Sequence, residues 1–583
     1  MTCKPVVKVN LKSCIFLLSA ILSIPITPLA SAQLVSSGLS LVRPIVTPLV
    51  FSSSLFLPPV TYNTGGFDPS AIAVADVNGD GVPDVVVANT RRNLTDQVFG
   101  ASNVGVMLGN GDGTFQSTVT YLSGGSQLHS VAIADVNNDG KLDILAGNGC
   151  SIISGGSCSF EGAVGVLLGN GDGTFRPAVN FGSGGYANFQ LKVIVADVNG
   201  DSKPDLLTLN GCTTSCSPNG PPHGSVGVLL GNWDGTFQKA VTYTTTGYFA
   251  TSIAVGDLNG DHNLDIVLTN YCGDNNIGGC ATPGPVDVLL GNGDGTFQGA
   301  IPFGPGGRGT SGVAVADVNG DDKPDLLVTN CGTDGCGGFW PPRPGGVVGV
   351  LLGHGDGTFS PAITYGSGSY FAIDVADVDG DQNPDLVLAN WACSNSGLGC
   401  ISVMPGNGDG TFQSAMNFST ESDANSLAVA DLNRDDKLDI VIPNRESFGS
   451  NDPPGTVSVL LNSTPSCNTP PQVTVSITPR SLWPPTGKIV PVTVSGTITD
   501  TGCSVASATY SVTDEYGRVQ PSGPVTLDSA GAYSFTIFLQ ASRRGRDSDG
   551  RSYYITIVAN NTAGMTGSQA GIVKVPHDHR HFR

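Results

Sequence analysis

The sequence predicts an all-β protein, with a seven-bladed β-propeller followed by a small β-sandwich. One acidic nine-residue pattern, first seen at 76–84, occurs seven times at intervals close to 60 residues. Each repeat contains four short runs rich in β-branched residues, and further alternating runs follow residue 463. A fixed period of this size indicates a repeat architecture. Four antiparallel strands in each repeat are typical of a propeller blade.

The second repeat shows the four predicted strands of a blade most clearly. Strand A is predicted at 131–134, strand B at 143–147 and strand C at 164–168. Strand D follows the turn at 169–173 and ends at Phe181. Gly, Asn and Asp separate these runs, which have no long helical period. The Asn-Gly-Asp-Gly sequences between strands C and D suit tight hairpins, so we interpret them as turns rather than second metal sites.

The two ends of the repeat region predict how the ring closes. The last repeat stops after its strand C at 456–461. The segment 57–62, before the first repeat, resembles the D strands of later repeats. We therefore expect the N-terminal strand to complete the last blade, which leaves few free sheet edges. The predicted propeller spans residues 55–463.

The N-terminal segment has the pattern of a secretory signal peptide. Three lysines precede an apolar stretch at 14–22, and small residues at 30–32 supply a cleavage site before Gln33. We predict a signal peptide at 1–32 and a leader of the mature chain at 33–54. No later stretch is long and apolar enough to span a membrane. The mature protein is therefore expected outside the cell or at its surface.

The C-terminal region has a different pattern from the repeats. A Pro-rich linker at 464–471 precedes alternating apolar and polar runs at 472–576. These runs predict a β-sandwich of the immunoglobulin-like type. Residues 577–583 contain His577, His579 and His581. We interpret them as a polar tail rather than a metal site.

The cysteines predict disulfide bonds. Fourteen cysteines are present, and Cys3 and Cys14 lie in the signal peptide. An even set in a secreted chain favours disulfides, each stabilising by roughly 2 kcal/mol. A zinc site fits poorly, because the pairs lie on different blades and no histidines accompany them. Local pairing is the simplest connectivity, and would join Cys150 with Cys158, Cys212 with Cys216, Cys272 with Cys280, Cys331 with Cys336, Cys393 with Cys400, and Cys467 with Cys503.

The acidic pattern places oxygen-bearing side chains at positions 1, 3, 5 and 9 of each A–B loop. In the first loop these are Asp76, Asn78, Asp80 and Asp84, with the backbone carbonyl of Val82 at position 7. Ca²⁺ takes about six to eight oxygen ligands at about 2.3–2.6 Å. The alternative is a metal-free turn held by Asx hydrogen bonds. Seven copies and the mutual repulsion of clustered carboxylates favour the metal.

We predict up to seven bound Ca²⁺ ions, with binding coupled to folding. An EF-hand is excluded, because the nine-residue loop lies between strands and no Glu occupies position 12. The other predicted ligands are Asp135, Asn137, Asp139 and Asp143; Asp197, Asn199, Asp201 and Asp205; Asp257, Asn259, Asp261 and Asp265; Asp317, Asn319, Asp321 and Asp325; Asp377, Asp379, Asp381 and Asp385; and Asp431, Asn433, Asp435 and Asp439.

The repeat resembles the FG-GAP repeats of integrin α-subunits and the related bacterial repeats called VCBS. The resemblance covers roughly residues 55–463. It implies a seven-bladed propeller with calcium in the A–B loops, held by the residue sets just named. The chain departs from integrins in that all seven repeats carry the loop and no adhesion domain is inserted. Integrin ligand recognition is therefore not carried over.

Charge and loop placement limit the classes of partner. The formal charge is −21, and the seven loops hold 22 carboxylates at the four ligand positions. Sparse, unclustered Lys and Arg argue against nucleic-acid binding. The variable B–C and D–A loops should share one face, where ligands usually bind. Aromatic residues suit protein or sugar contact unless they pack under their own loops, and the candidates are Tyr186, Tyr248, Phe249, Tyr271, Trp340, Tyr370 and Trp391.

The sequence therefore predicts a secreted, calcium-binding, monomeric propeller that binds an extracellular protein or glycan. The seven histidines share no repeated position, and no nucleophile motif is present, so no enzyme is expected. Two alternatives stay open. One is a carbohydrate-active protein, either a lectin or a polysaccharide-degrading enzyme using paired carboxylates. The other is a purely structural surface protein in which calcium supplies rigidity.

Overall fold

The repeat region and the C-terminal region are all-β in the computed structural model. The predicted signal peptide and leader lie outside the described residues. No helix within the described part has the length and apolar character needed to cross a bilayer. The structure describes residues 55–91, 101–151, 161–213, 223–274, 282–330, 346–390, 399–420, 423–445, 454–464, 469–500 and, with a few gaps, 505–577.

The first unit shows the arrangement that the repeat pattern predicts. Four strands pair in chain order, and every neighbouring pair is antiparallel. The acidic loop joins the first two strands, because Asp84 opens the second of them. Its strands are β2 (Phe67–Ala75), β3 (Asp84–Arg91), β4 (Asn103–Met107) and β5 (Val119–Leu122), preceded in the chain by β1 (Val60–Asn63).

The same four-stranded unit recurs along residues 125–460. The further strands are β6 (Gly125–Ala134), β7 (Asp143–Ser151), β8 (Glu161–Leu167), β9 (Val179–Ala196), β10 (Asp205–Cys212), β11 (His223–Leu229), β12 (Val241–Gly256), β13 (Asp265–Cys272), β14 (Val286–Leu289), β15 (Ile301–Phe303), β16 (Thr310–Ala316), β17 (Asp325–Asn330), β18 (Gly346–Leu351), β19 (Ile363–Gly368), β20 (Tyr370–Ala376), β21 (Asp385–Asn390), β22 (Cys400–Met404), β23 (Met416–Ser419), β24 (Asp423–Ala424), β25 (Ala428–Ala430), β26 (Asp439–Arg445) and β27 (Thr456–Leu460).

Two strands are longer than predicted and each serves two units. β9 has 18 residues and β12 has 16, so each is the outer strand of one unit and continues as the inner strand of the next. Strands β6 to β15 therefore form one ten-stranded sheet. Strand D of the second repeat was predicted to end at Phe181, before the two glycines at 184 and 185. The backbone stays extended there, although Gly184 has a positive φ of 83°.

The last unit takes its outer strand from the N-terminal end of the described chain. β1 pairs with β27 in an antiparallel register that sets Val60 opposite Val459. Phe56 adds a bridge to Asn462. The segment 57–62, which resembles a D strand in sequence, thus supplies the outer strand that the last repeat does not contain. The described strands between residues 60 and 460 form seven such units, and the inner strand of the last one is divided into β24 and β25.

Apolar clusters and aromatic pairs join each unit to the next. One cluster packs Val86 of the first unit against Leu128 and Ile144 of the second. An aromatic side chain from the outer strand of each unit also meets a phenylalanine of the next unit edge to face, a favoured geometry. The pairs are Tyr62–Phe115, Tyr121–Phe175, Phe181–Phe237, Tyr243–Phe297, Phe303–Phe359, Tyr365–Phe412 and Phe418–Phe56, with ring centroids 5.1–5.6 Å apart.

The C-terminal region forms two four-stranded sheets around one apolar core. Tyr553 and Ile555 are fully buried between the sheets. Arg551 is also buried, because its guanidinium bonds to the Asp514 carboxylate and stacks on Tyr553. The strands are β28 (Gln472–Val473), β29 (Ser476–Thr478), β30 (Ile489–Thr499), β31 (Val505–Asp514), β32 (Ser522–Pro524), β33 (Ala532–Gln540), β34 (Arg551–Asn561) and β35 (Thr566–Val575).

Several sequence predictions fall wholly or partly outside the described residues. Each predicted cysteine pair has at least one such member, so the pairings stay predictions. Trp340 and Trp391 are also outside. Among the described aromatic candidates, Tyr370 is only 3% exposed and packs in an apolar core, so it is not a surface contact residue. Phe249 is likewise buried.

Candidate metal centre

The seven acidic loops fold alike, and the carboxylate at position 1 organises each of them. Asp76 accepts hydrogen bonds from the backbone N–H groups of Gly79 at 2.7 Å and Gly81 at 2.7 Å. The N–H of position 6 donates to position 1 in all seven loops, at 2.7–3.0 Å. Each loop is therefore wrapped around its first carboxylate.

Positions 3 and 5 continue the same wrapping. The side-chain oxygen of Asn78 accepts from the N–H of Asp80 at 2.9 Å, and Asp80 accepts from the N–H of Val82 at 2.8 Å. Equivalent bonds occur in the other six loops. The side-chain oxygens are thus held in fixed positions by the loop's own backbone, while oxygen lone pairs remain for a further ligand.

Two residues in each loop adopt the left-handed backbone conformation. Position 4 and position 6 both have positive φ, with values of 76° at Gly79 and 80° at Gly81. Five loops place a side chain at position 6, including Ser202 at 65° and His262 at 68°. Such a conformation costs a non-glycine residue of the order of 1 kcal/mol or more. The loops keep it because the hydrogen bonds to position 1 require it.

The carboxylate at position 9 is buried and links the loop to the sheet. Asp84 accepts from the N–H of Val77 at 2.9 Å and from the N–H of Gly109, after strand β4, at 2.8 Å. All seven position-9 carboxylates have no exposed surface and make the equivalent bonds. Sequence reasoning assigned these residues only as metal ligands and missed this structural role.

Burial and neighbouring carboxylates make the position-9 charge costly. Burial raises the pKa of the Asp84 carboxyl to about 6, and the charges of Asp80 and Asp76 add to the effect. Asp143 behaves in the same way, with its pKa also raised to about 6. A cation in the loop would lower this cost, because an opposite charge favours the ionised form.

The sixth loop differs from the others, because Asp379 stands where the other loops have Asn. Oxygens of Asp377, Asp379 and Asp385 lie within 4.8 Å of one another, which no other group of carboxylates, His or Cys among the described residues achieves. Burial, followed by the charge of Asp381, raises the pKa of Asp379 to about 6. Burial and the charge of Asp379 raise the pKa of Asp385 to about 7.

Lysines at position 7 distinguish another group of loops. Lys203 places its Nζ 2.9 Å from the Asp201 carboxylate at position 5. Lys323 and Lys437 pair with the corresponding carboxylates of their loops at 3.4 and 3.5 Å. A cation beside a ligand carboxylate offsets part of the charge that attracts Ca²⁺. These lysines make the seven loops chemically unequal, and the ligand pattern predicted from the sequence took no account of position 7.

The donor set of the loops fits calcium. Every predicted ligand is a carboxylate or amide oxygen, and hard cations such as Ca²⁺ and Mg²⁺ bind through oxygen ligands. No cysteine or histidine occupies positions 1, 3, 5 or 9 of any loop, so the set does not match a zinc site. The residues that would hold the ion are positions 1, 3, 5 and 9, with the carbonyl of position 7.

A second repeated residue, a buried asparagine, was missed by the sequence analysis. Asn148 lies five residues after position 9 and donates to the backbone carbonyl of Ser123 at 2.9 Å. This bond fixes the connection between the outer strand of one unit and the inner strand of the next. The recurrence of this asparagine five residues after position 9 in every repeat is the sequence signal that could have revealed it. The equivalents are Asn89, Asn210, Asn270, Asn330, Asn390 and Asn444, all at most 3% exposed.

Comparison with known families identifies the repeats. A profile described as the FG-GAP-like repeat matches residues 94–146, 152–208, 217–268, 277–328 and 377–442, and one described as the FG-GAP repeat matches 69–107. The chain therefore contains several FG-GAP repeats, as its sequence pattern predicted. Residues 346–376, which neither profile matches, fold into strands β18 to β20 of the same arrangement.

Comparison with whole proteins gives weaker similarity than comparison with the repeat profiles. No curated protein matches the chain in sequence. Among solved structures, the biofilm matrix protein Bap1 of V. cholerae is similar at 12% sequence identity and a TM-score of 0.34. That match covers 70% of this chain and 89% of the Bap1 chain.

Proposed function

We propose that residues 55–463 form a closed seven-bladed β-propeller. The gap between the last unit and the first carries the same edge-to-face aromatic pair as the other gaps, here Tyr62 with Phe115. Val441 and Leu432 of the last unit also share an apolar core with Ile72 of the first. On this proposal the C-terminal region is an immunoglobulin-like β-sandwich appended to the ring.

The A–B loops are proposed to bind Ca²⁺, up to seven ions in all. The observation that carries this proposal is the buried position-9 carboxylate, which is repeated in every loop together with two or, in the sixth loop, three other carboxylates. In the sixth loop three carboxylates converge. Such groups repel one another without a cation between them. Calcium binding would therefore stabilise the folded protein.

The protein is proposed to act outside the cell as a binding or adhesion module. FG-GAP repeats supply a rigid scaffold, and the N-terminal segment has the pattern of a signal peptide. The loops that differ between units are the expected location of ligand contacts. Its partner on this proposal is an extracellular protein or glycan.

The calcium proposal is tested by titrating metal-free mature protein, residues 33–583, with Ca²⁺ in a calorimeter. We expect up to seven ions to bind, with Mg²⁺ binding more weakly because it demands stricter octahedral geometry. Heat no larger than that of buffer, from protein with intact β-sheet circular dichroism, would contradict the proposal.

The adhesion proposal is tested on the producing cells. Labelled mature protein is added to washed cells with their extracellular matrix, and the retained fraction is measured in Ca²⁺ and in excess chelator. Retention that is saturable and needs Ca²⁺ is expected. Equal retention of labelled protein that has been heat-unfolded would mean that the folded module does not carry adhesion.

A further inference from the structure

The C-terminal region differs in charge from the rest of the chain. Residues 464–583 contain ten Lys or Arg and seven Asp or Glu, whereas the whole chain has a formal charge of −21. The repeat region is therefore acidic and the region appended to it is basic. Such an asymmetry between two parts of one chain indicates an anionic partner for the basic part.

The fold gathers these cations at one end of the two sheets, although the sequence scatters them over residues 480–574. At this end the start of β34 pairs with the end of β35, and the start of β30 pairs with the end of β33. The Tyr553 hydroxyl donates to the carbonyl of Gln540 at 2.8 Å, which joins the two sheets there. The exposed or partly exposed cations of this basic end are Arg480, Lys488, Arg518, Arg543, Arg544 and Lys574.

The carboxylates of the C-terminal region do not cancel this charge. Asp500 and Asp528 lie at the opposite end, where residues 495–500, 524–528 and 558–561 contain neither Lys nor Arg. Asp514, Glu515 and Asp547 lie at the basic end, and each accepts a hydrogen bond from the protein itself. The two ends of the C-terminal region therefore differ in the sign of their charge.

Two cations of the basic end are neighbours on one strand edge. The N–H of Lys574 donates to the carbonyl of Arg480 at 3.0 Å, and Ser481 forms a bridge to Lys574. Arg480 and Lys574 are both exposed, and neither forms an ion pair within the part of the chain that the structure describes. Neighbouring cations without a compensating carboxylate create a positive potential that attracts anions.

Exposed aromatic and apolar side chains adjoin these two cations. Tyr554 and Ile572 lie opposite each other on β34 and β35, and their side chains are 41% and 45% exposed. Lys574 lies two residues after Ile572 in the same strand, so both side chains stand on the outer face of the sheet. Trp483 is 42% exposed and directly follows Leu482, whose N–H donates to the carbonyl of Lys574 at 2.8 Å. A rigid sheet face therefore presents rings beside positive charge.

We propose that this outer face binds an acidic polysaccharide, one that contains uronic acids. Guanidinium and ammonium groups form charge-assisted hydrogen bonds with carboxylates, and aromatic side chains pack on the C–H faces of pyranose rings. Charge alone would suit any polyanion, whereas exposed rings beside the charge favour a sugar polymer. The inference deepens the proposed extracellular binding function, because it names a class of glycan, and it rests on that proposal. The contact residues are Arg480, Trp483, Tyr554, Ile572 and Lys574.

The test measures binding of mature protein in Ca²⁺ to immobilised hyaluronate, a polymer that contains uronic acid, and to dextran as the neutral control. We expect binding to hyaluronate alone, and weaker binding as NaCl is raised, because salt screens the attraction.

Three variants locate the surface. The double variant Arg480→Gln/Lys574→Gln should weaken hyaluronate binding roughly tenfold or more. Tyr554→Ser should also weaken it, although the charge is unchanged. Lys239→Gln removes an exposed cation from the repeat region and should bind like the wild type. The substituted side chains are exposed, and thermal unfolding in Ca²⁺ establishes that the variants fold alike.

Three results would overturn the polysaccharide surface. One is that folded wild-type protein does not bind hyaluronate at low salt. Another is that the double variant binds it as tightly as Lys239→Gln. The third is that double-stranded DNA or vesicles of anionic lipid bind as tightly as hyaluronate and Tyr554→Ser has no effect, which would leave charge as the only determinant.

The retention assay on producing cells separates this failure from that of the proposed function. If wild type and the double variant are retained equally, the module adheres through another surface and the polysaccharide proposal fails alone. If neither protein is retained, the adhesion proposal fails as well.

Discussion

At the scale of single residues, the buried carboxylate at position 9 accepts hydrogen bonds from the loop and also from the end of a neighbouring strand. The exposed carboxylates of the loop do not make this second kind of bond. Asp143 accepts two buried backbone N–H groups, from Val136 and Gly169. Asp139, at position 5 of the same loop, is exposed to solvent. Position 9 therefore holds the fold together even without a metal, whereas position 5 serves the loop alone.

This difference leads to a prediction about Asp143→Ala. The change leaves two buried donors without acceptors, so it should destabilise metal-free protein by about 2 kcal/mol or more. Asp139→Ala should change metal-free stability far less. Urea unfolding in excess chelator, followed by circular dichroism, measures both. Equal stabilities of the two variants would mean that the position-9 bonds contribute little.

His129 is a residue whose environment opposes its charge. Burial, followed by the charge of Arg445, lowers the pKa of His129 to about 3, and its Nε2 finds no hydrogen-bond partner among the described residues. It occupies the bulge of strand β6. At the equivalent bulge Ser70 donates to the carbonyl of Leu128 in the next unit at 2.7 Å. Serine is therefore a compatible replacement.

The His129 environment predicts a dependence of stability on pH. Below about pH 6.5 the unfolded chain takes up a proton at this histidine and the folded chain does not. The stability contributed by the neutral ring is thus lost as pH falls from about 6.5 toward 3, by up to about 1.4 kcal/mol per pH unit. His129→Ser should lose less stability between pH 7 and pH 5 than the wild type.

Urea unfolding at several pH values, all in chelator, measures that difference. The carboxylates with raised pKa titrate over part of the same range, but they are common to both proteins and cancel in the comparison. Parallel pH profiles for wild type and His129→Ser would show that the surroundings of His129 do not oppose its charge.

At the scale of elements, loops two to six are each braced by the next unit. The turn glycine of one unit donates its N–H to the carbonyl of loop position 2 in the preceding unit, as Gly235 does to Val136 at 3.2 Å. Asn462 makes the corresponding bond to Val378 through its side chain at 2.7 Å. A metal that orders one loop would therefore also strengthen its contact with the neighbouring unit.

The loops are predicted to bind calcium with unequal affinity. The sixth loop should bind most tightly, because it has four carboxylates, three of which converge, and neutral Asn383 at position 7. Asp379→Asn should weaken that site roughly tenfold. Asn319→Asp is the matched change in the fifth loop and should tighten its site. Calorimetric titration measures both, and unchanged tight-site affinity in Asp379→Asn would contradict the ranking.

Particular residues show what the sequence could and could not predict. The acidic loops were predictable, because their bonds join residues at most seven positions apart, as between Val77 and Asp84. The Asp84 bond to Gly109 and the Asn148 bond to Ser123 each span 25 residues, so their partners follow only from the fold. The ranking of loops was missed because Lys203 and its equivalents lie at a position that the ligand pattern ignores.

At the scale of the whole molecule, calcium should raise thermal stability strongly. Each ion held at about one hundred times its Kd adds about 2.7 kcal/mol to folded-state stability. Several such sites on one cooperative region should give a large increase in Tm. Differential scanning calorimetry in Ca²⁺ and in chelator measures it. A Tm that is the same in both conditions would argue that the loops are metal-free turns.

The N-terminal strand is predicted to be essential to the last unit. A chain starting at Thr64 lacks β1 and exposes the edge of β27, which invites aggregation. A chain starting at Leu55 keeps β1 and serves as the control. Size-exclusion chromatography and calorimetry should show association and a lower Tm for the shorter chain alone. Identical behaviour of the two chains would show that β1 is dispensable.

The pairing of β1 with β27 also has a mechanical consequence. Because the strands are antiparallel and Val60 faces Val459, the free end of β1 and the exit from β27 lie side by side. Tension between the two ends of the repeat region would load these hydrogen bonds one after another, as in opening a zipper, rather than all together in shear. We therefore expect this pair to separate first and at low force, leaving the remaining units folded and able to recapture the strand when tension falls.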